Sequence, residues 1–340
     1  MLSHTNYRTV LEKIIQAYCS IMSKTRINKP TDEVISRASN TLKQGDILSF
    51  PTETVYGLGA DATNKDAVAK IFAAKNRPSF NPLIVHLSSI GMAEKYVEIS
   101  PIARKLADAF WPGPFTMVLP LKKNSDISDL ITAGLNTVAI RVPIHPVAHQ
   151  LLQKFNGPIA APSANKSGHI SPTTAQHVDD EFGNEVGLII DGGPCMNGLE
   201  STIVKVENDQ LILLRPGNIT KERLEEFLNT KIEADNKPTD NPVAPGQLKS
   251  HYAPNAKMRL NVVDPKKGEA YLAFGDIKQR ENMLNLSENG DLEAAAANLF
   301  LMMRSLDQLG LNTIAVAPVP NDGIGVAIND RLKRAAAPKD

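Results

Sequence analysis

Cationic and hydroxyl side chains stand at the ends of several apolar runs in this 340-residue chain, a pattern suited to holding an anion. Arg141 lies inside Val138-Ala139-Ile140-Arg141-Val142, an otherwise apolar strand sequence. A buried guanidinium is costly unless an anion meets it, so either an internal carboxylate or a substrate carboxylate or phosphate is required, and internal pairing is the commoner outcome. Lys75-Asn76-Arg77-Pro78 closes a helical pattern, where cations suit the helix dipole for structural reasons alone. Yet Pro78 and Pro82 then fix an irregular loop leading into a strand that ends at His86. Ala161-Pro162-Ser163-Ala164-Asn165-Lys166-Ser167-Gly168 leaves another strand with small hydroxyl and amide groups. Ser201-Thr202 opens a strand after Asp191-Gly192-Gly193, and Leu214-Arg215-Pro216-Gly217 puts one more guanidinium at a strand end. Several strands thus deliver Lys, Arg, Ser and Thr to their tips, as a polyanion site without a Walker loop would.

Other patterns fail on context. Gly57-Leu58-Gly59-Ala60-Asp61-Ala62 fits G-x-G-x-x-A, but Pro51 to Tyr56 separate it from the preceding apolar strand, whereas a dinucleotide loop puts its first glycine at the strand end. The two glycines are expected to serve a tight turn, so that the loop lines a pocket. No G-x-x-x-x-G-K-[ST] occurs. His145 and His149 have zinc-like spacing without a third ligand and read as surface or capping histidines.

These residues need a scaffold. Lys plus Arg and Asp plus Glu are balanced at 37 each, so no global charge argues for nucleic acid or membrane binding. Cys19 and Cys195 are the only cysteines, and with no run apolar enough to span a bilayer the expectation is a reduced, cytoplasmic protein with no membrane contact. Residues 1–30 read as an extension, of which 1–21 look dispensable. Helices and strands intermix over 31–229 with some antiparallel pairing, which implies an α/β fold of α+β mixed-sheet type rather than a doubly wound parallel sheet. Residues 230–256 carry Pro238, Pro242, Pro245 and Pro254 among polar residues, a linker composition. Residues 257–340 alternate β, β, α, β, α, as in a small Rossmann-like α/β domain.

Taken together, "PTETVYGLGADA", "KNRPSFNPLIVH", "WPGPFT", "AIRVP", "APSANKSG", "ESTIV" and "LLRPGNI" resemble the YrdC-like family of threonylcarbamoyl-AMP synthases, in that family's order. The linker with His251-Tyr252-Ala253-Pro254 and the domain after it resemble the family's two-domain branch. The resemblance implies a twisted mixed sheet around a large basic cavity and a reaction in which L-threonine, bicarbonate and ATP give L-threonylcarbamoyl-adenylate and pyrophosphate. It implies that Thr54, His86, Arg141, Ala161 and Ser201 hold threonine. Arg77, Asn81, Thr137, Ser163, Ser171, Arg215 and Tyr252 would contact ATP, with Lys75 on the phosphates and Lys75 and Arg77 as the catalytic pair. Mg²⁺ is expected without dedicated protein ligands. The product would pass to a tRNA threonylcarbamoyl transferase complex, with at most a weak tRNA contact by this chain; an RNA-binding module without adenylation activity is the rival reading. Asn76 stands where the family often has Gly, and Gln247 where Met is expected.

Overall fold

The computed structural model describes residues 26–207, 210–235, 239 and 242–338. The expectation for residues 1–21 lies outside them.

Eleven strands form the first sheet: β1 (Ile27–Asn28), β2 (Leu48–Phe50), β3 (Gly57–Asp61), β4 (Ile84–His86), β5 (Phe115–Pro120), β6 (Thr137–Arg141), β7 (Ile159–Ala160), β8 (Ile189–Ile190), β9 (Thr202–Glu207), β10 (Gln210–Arg215) and β11 (Glu233–Ala234). Their order is β1-β8-β2-β3-β7-β4-β6-β5-β9-β10-β11. Pairing is mixed, with β4 parallel to β6, β5 antiparallel to β6 and parallel to β9, and β9 antiparallel to β10. This is the mixed α/β architecture that the interleaved helical and strand patterns imply.

Helix boundaries follow local chemistry. Thr31, Asn64, Ser100, Thr174 and Thr220 each accept from backbone N–H groups in the first turn of the helix that follows. His145 caps Pro146–Phe155 through Nδ1, so its spacing from His149 is that of a helix start. Lys65–Lys75 ends on Asn76 in the left-handed region (φ 50°), which is why glycine suits that position and asparagine is a tolerable replacement.

One expectation is overturned. Residues 57–61 form no turn; they are β3, paired antiparallel to both β2 and β7. Gly59 is needed for packing, because a methyl there would sit 2.9 Å from the Phe50 ring and 3.2 Å from Ile159 Cγ2. The chain turns earlier, within 51–56, where Thr52 Oγ1 receives the backbone N–H groups of Thr54 and Val55 and donates to Val55 O.

A second, all-parallel sheet has the order β12 (Lys257–Arg259), β15 (Thr313–Val316), β13 (Ala270–Ala273) and β14 (Met283–Asn285), covered by helices Leu292–Asp307 and Gly325–Ala335. Strand β14 is absent from the sequence expectation because Met283-Leu284-Asn285 is too short to show alternation. The apolar core of this unit also takes in Val55, Ile170, Leu199 and Tyr252 from the first unit's loops and the linker.

Candidate active site

Strand direction gathers the polar tips at one edge of the first sheet. His86 and Arg141 are register partners at the ends of parallel β4 and β6. Antiparallel β5 sets Thr116 opposite Arg141, parallel β9 sets Thr202 beside Phe115, and antiparallel β10 returns Arg215 to Ile203. Thr54, Arg77, His86, Arg141, Ala161, Ser163, Ser201, Arg215 and Tyr252 all line one cavity there.

The cavity is basic, as expected, but narrow. Its free volume is about 40 Å³, room for a few waters, because Pro245, Gly246, His251 and Tyr252 of the linker pack into it. Gly246 (φ +87°) lies so close that a methyl on it would be 2.9 Å from Arg215 Cδ and 3.0 Å from Tyr252 Oη. Gln247 holds this loop in shape, its Oε1 accepting from the N–H groups of Val243 and Ala244.

The cavity's arginines differ in their partners. Arg141 donates through Nη2 to Glu53 Oε1 (2.5 Å), through Nη1 to Thr54 Oγ1 (2.9 Å) and through Nε to Gly113 O (3.2 Å). It thus has an internal carboxylate, and Glu53, which the sequence left without a role, supplies it. Arg77 meets only the carbonyls of Asn81 and Pro82. Arg215 meets Ser201 O, Ser201 Oγ and Pro245 O. Burial lowers the pKa of both, Arg77 to about 9; Arg215 further opposes the charge on Arg77, and Arg331 and Arg141 oppose the charge on Arg215. Such a pair of buried cations facing neutral acceptors is what an arriving polyanion would stabilise.

Two buried histidines stay neutral. Burial and then Arg141 push His86 down to about 3. Burial, Arg77 and Lys75 push His251 well below the ordinary range. His86 Nδ1 has no hydrogen-bond partner, nor has either side-chain atom of the fully buried Asn81.

Four expected site residues lie off the cavity wall. Lys75 is buried with Nζ on the carbonyls of Ser163 and Asn165, so it tethers the 163–167 loop and does not point at a ligand. Ser171 donates to Glu200 Oε1 (2.6 Å), behind the wall. Asn81 is reached only through Arg77. Thr137 opens β6, at the opposite end from Arg141, and borders a separate depression with Leu119 and Lys205. Conversely, Thr52, Glu200, Gly246 and His251 line the cavity without having been singled out. Glu200 stood directly before Ser201 in "ESTIV", but nothing in the sequence says on which side of a strand entry a carboxylate will fall.

Comparison with known proteins accords with this geometry. The Sua5/YciO/YrdC family, described as "Telomere recombination", matches residues 40–217, and the "Threonylcarbamoyl-AMP synthase, C-terminal domain" family matches residues 219–337. The chain belongs to the Sua5/YciO/YrdC family, in its two-domain form. It is 40% identical to the threonylcarbamoyl-AMP synthase of Bacillus subtilis, over 90% of this chain and 93% of that one. It is 38% identical to the threonylcarbamoyl-AMP synthase of Pyrococcus abyssi, over 88% and 93%. The crystal structure of P. abyssi Sua5 complexed with L-threonine matches with a TM-score of 0.82 at 37% identity, covering 89% of this chain and 94% of that one.

Proposed function

We propose that this chain is a nucleotidyltransferase that makes L-threonylcarbamoyl-adenylate and pyrophosphate from L-threonine, bicarbonate and ATP. The observation that carries the reading is the pair Arg77 and Arg215, buried in one cavity with Arg141 and facing only uncharged acceptors. Arg77 and Arg215 receive the triphosphate, with Ser163 and Tyr252 beside them and Asn81 supporting Arg77 through its backbone carbonyl. Arg141, held in place by Glu53 and Thr54, presents its remaining N–H donors to the threonine carboxylate, with His86, Ala161 and Ser201 around it.

Threonine's amine takes up bicarbonate with loss of water, or CO2 with loss of a proton, to give a carbamate, whose oxygen attacks the α-phosphate and expels pyrophosphate. Carboxylate, carbamate and triphosphate repel one another, and fixed guanidiniums offset that repulsion without reorganising during the reaction. Mg²⁺ arriving with the nucleotide would offset part of the triphosphate charge. Because ATP cannot fit beside the packed linker, residues 243–252 must lift for entry and close afterwards. The product, a reactive mixed anhydride, is for transfer to tRNA by a separate enzyme complex, and the setting is cytoplasmic; no helix among the described residues is long and apolar enough to cross a membrane.

Pyrophosphate release tests this directly. It should require ATP, bicarbonate and L-threonine together and fall away when any other of the twenty amino acids replaces threonine. Protein that retards tRNA yet releases no pyrophosphate would overturn the reading in favour of RNA binding.

A further inference from the structure

Helix Gly325–Ala335 of the C-terminal unit sends Arg331 to the back of the cavity wall, where it is fully buried. Its Nε donates to Glu200 Oε2 (3.0 Å), its Nη1 donates to Pro216 O (2.7 Å) and Asp330 Oδ2 (3.0 Å), and its guanidinium lies over the Tyr252 ring at 5.5 Å. Glu200 is the one carboxylate among the described residues lining the cavity. Its other oxygen accepts from Ser171 Oγ (2.6 Å). Arg215 is close enough to Glu200 for each to perturb the other's charge, yet it donates to carbonyl and hydroxyl groups alone.

Two guanidiniums therefore compete for one buried carboxylate, and the one from the C-terminal unit holds it. We propose that Arg331 is a positioning residue for the nucleotide corner: by occupying Glu200 it keeps Arg215 unpaired and open to an anionic ligand. Without Arg331, the buried Glu200 carboxylate recruits the nearest remaining cation, Arg215, and the corner loses the charge it offers to phosphate. The same face of the unit fixes the lid. Arg334 Nη1 donates to Leu248 O (2.6 Å), the His251 N–H donates to Arg334 O (3.3 Å), and Phe300 stacks on Tyr252 at 5.4 Å. The threonine corner, built from Thr54, His86 and Arg141, has no such dependence on Arg331.

This inference rests on Arg215 being a nucleotide contact, and equilibrium binding of ATP and of threonine to the full chain separates the two claims. Wild-type protein that fails to bind ATP would overturn the nucleotide reading itself. With wild-type binding established, Arg331→Met should weaken ATP binding by about tenfold or more while threonine binding changes by less than about threefold. Adding Glu200→Gln to Arg331→Met should restore ATP affinity to within about threefold, because a neutral amide does not compete for Arg215. A double variant as weak as the single one, with both showing a folded melting transition, would mean that Arg331 acts by packing alone, and would overturn the proposal. Arg331→Lys keeps a cation for Glu200 but gives up contacts to Pro216 O and Asp330, so its ATP binding should fall between wild type and the Met variant; a folded Lys variant that loses as much as the Met variant also overturns it.

Discussion

Arg141 and Arg215 sit in the same cavity, are about equally buried, and differ in what they touch. Arg141 carries its own carboxylate, Glu53, from the loop between β2 and β3. Arg215 carries none, because the nearby Glu200 is held by Arg331. A guanidinium with an internal counter-ion is held in one orientation and costs less to bury than an unpaired one, which suits a site that must select one small zwitterion by shape. One without a counter-ion is held at a cost that an incoming polyanion relieves. The difference fits the proposed function, with threonine at the first corner and nucleotide at the second, and the proposed role of Arg331 would make the C-terminal unit part of the second.

The comparison can be broken most sharply at Arg141. Arg141→Ala leaves Glu53 buried and unpaired, so it should cost about 3–5 kcal/mol of folding stability, read as a lower urea midpoint. Arg215→Ala orphans no carboxylate, so its stability loss should be smaller; a loss equal to that of Arg141→Ala would erase the distinction. In its place Arg215→Ala should weaken ATP by about 1.5–3 kcal/mol, the range for a charge-assisted contact, measured by calorimetric titration.

Packing of β3 against Phe50 comes next. Gly59→Ala drives a methyl against Phe50 and should destabilise by about 1–3 kcal/mol, while leaving the ratio of ATP to threonine affinity unchanged. A changed ratio would mean that β3 shapes one corner more than the other. The remaining lever is pH. His86, His251 and His177 (about 4) have folded pKa values below the unfolded value near 6.5, each mainly through burial. The unfolded chain therefore binds more protons below pH 6.5, so the stability these neutral histidines contribute is present above that pH and is lost as pH falls. The loss should approach about 1.4 kcal/mol per histidine for each pH unit below 6.5. A melting temperature that stays flat from pH 7 to 5 would contradict it.

Much of the frame was legible because it is written in local chemistry. Caps at Thr31, Asn64 and Ser100, the break at Pro78, and apolar runs at 115–120 and 202–207 each follow from a few neighbouring residues. Arg141 also announced itself, since a guanidinium in an apolar strand demands an anion. What escaped notice depends on distant pairing. Glu53 and Arg141 are 88 positions apart, and Glu200 and Arg331 are 131 apart, so neither pair leaves a spacing that a window could detect. Gly57 and Gly59 read as a turn because glycine in sequence signals freedom, whereas here the missing side chains make room for Ala161 and Phe50 respectively. The resemblance put Lys75 on the phosphates; here its carbonyl partners, supplied by a loop some 90 residues later, make it a tether.

The central claim, two separate anion corners in one cavity, is tested most directly by titrating ATP and L-threonine separately into the wild-type, Arg215→Ala and Arg141→Lys proteins, the last retaining a cation beside Glu53. The account predicts that Arg215→Ala loses about tenfold or more in ATP affinity and under about threefold in threonine, and that Arg141→Lys shows the reverse. Parallel losses of both ligands in both variants would contradict it.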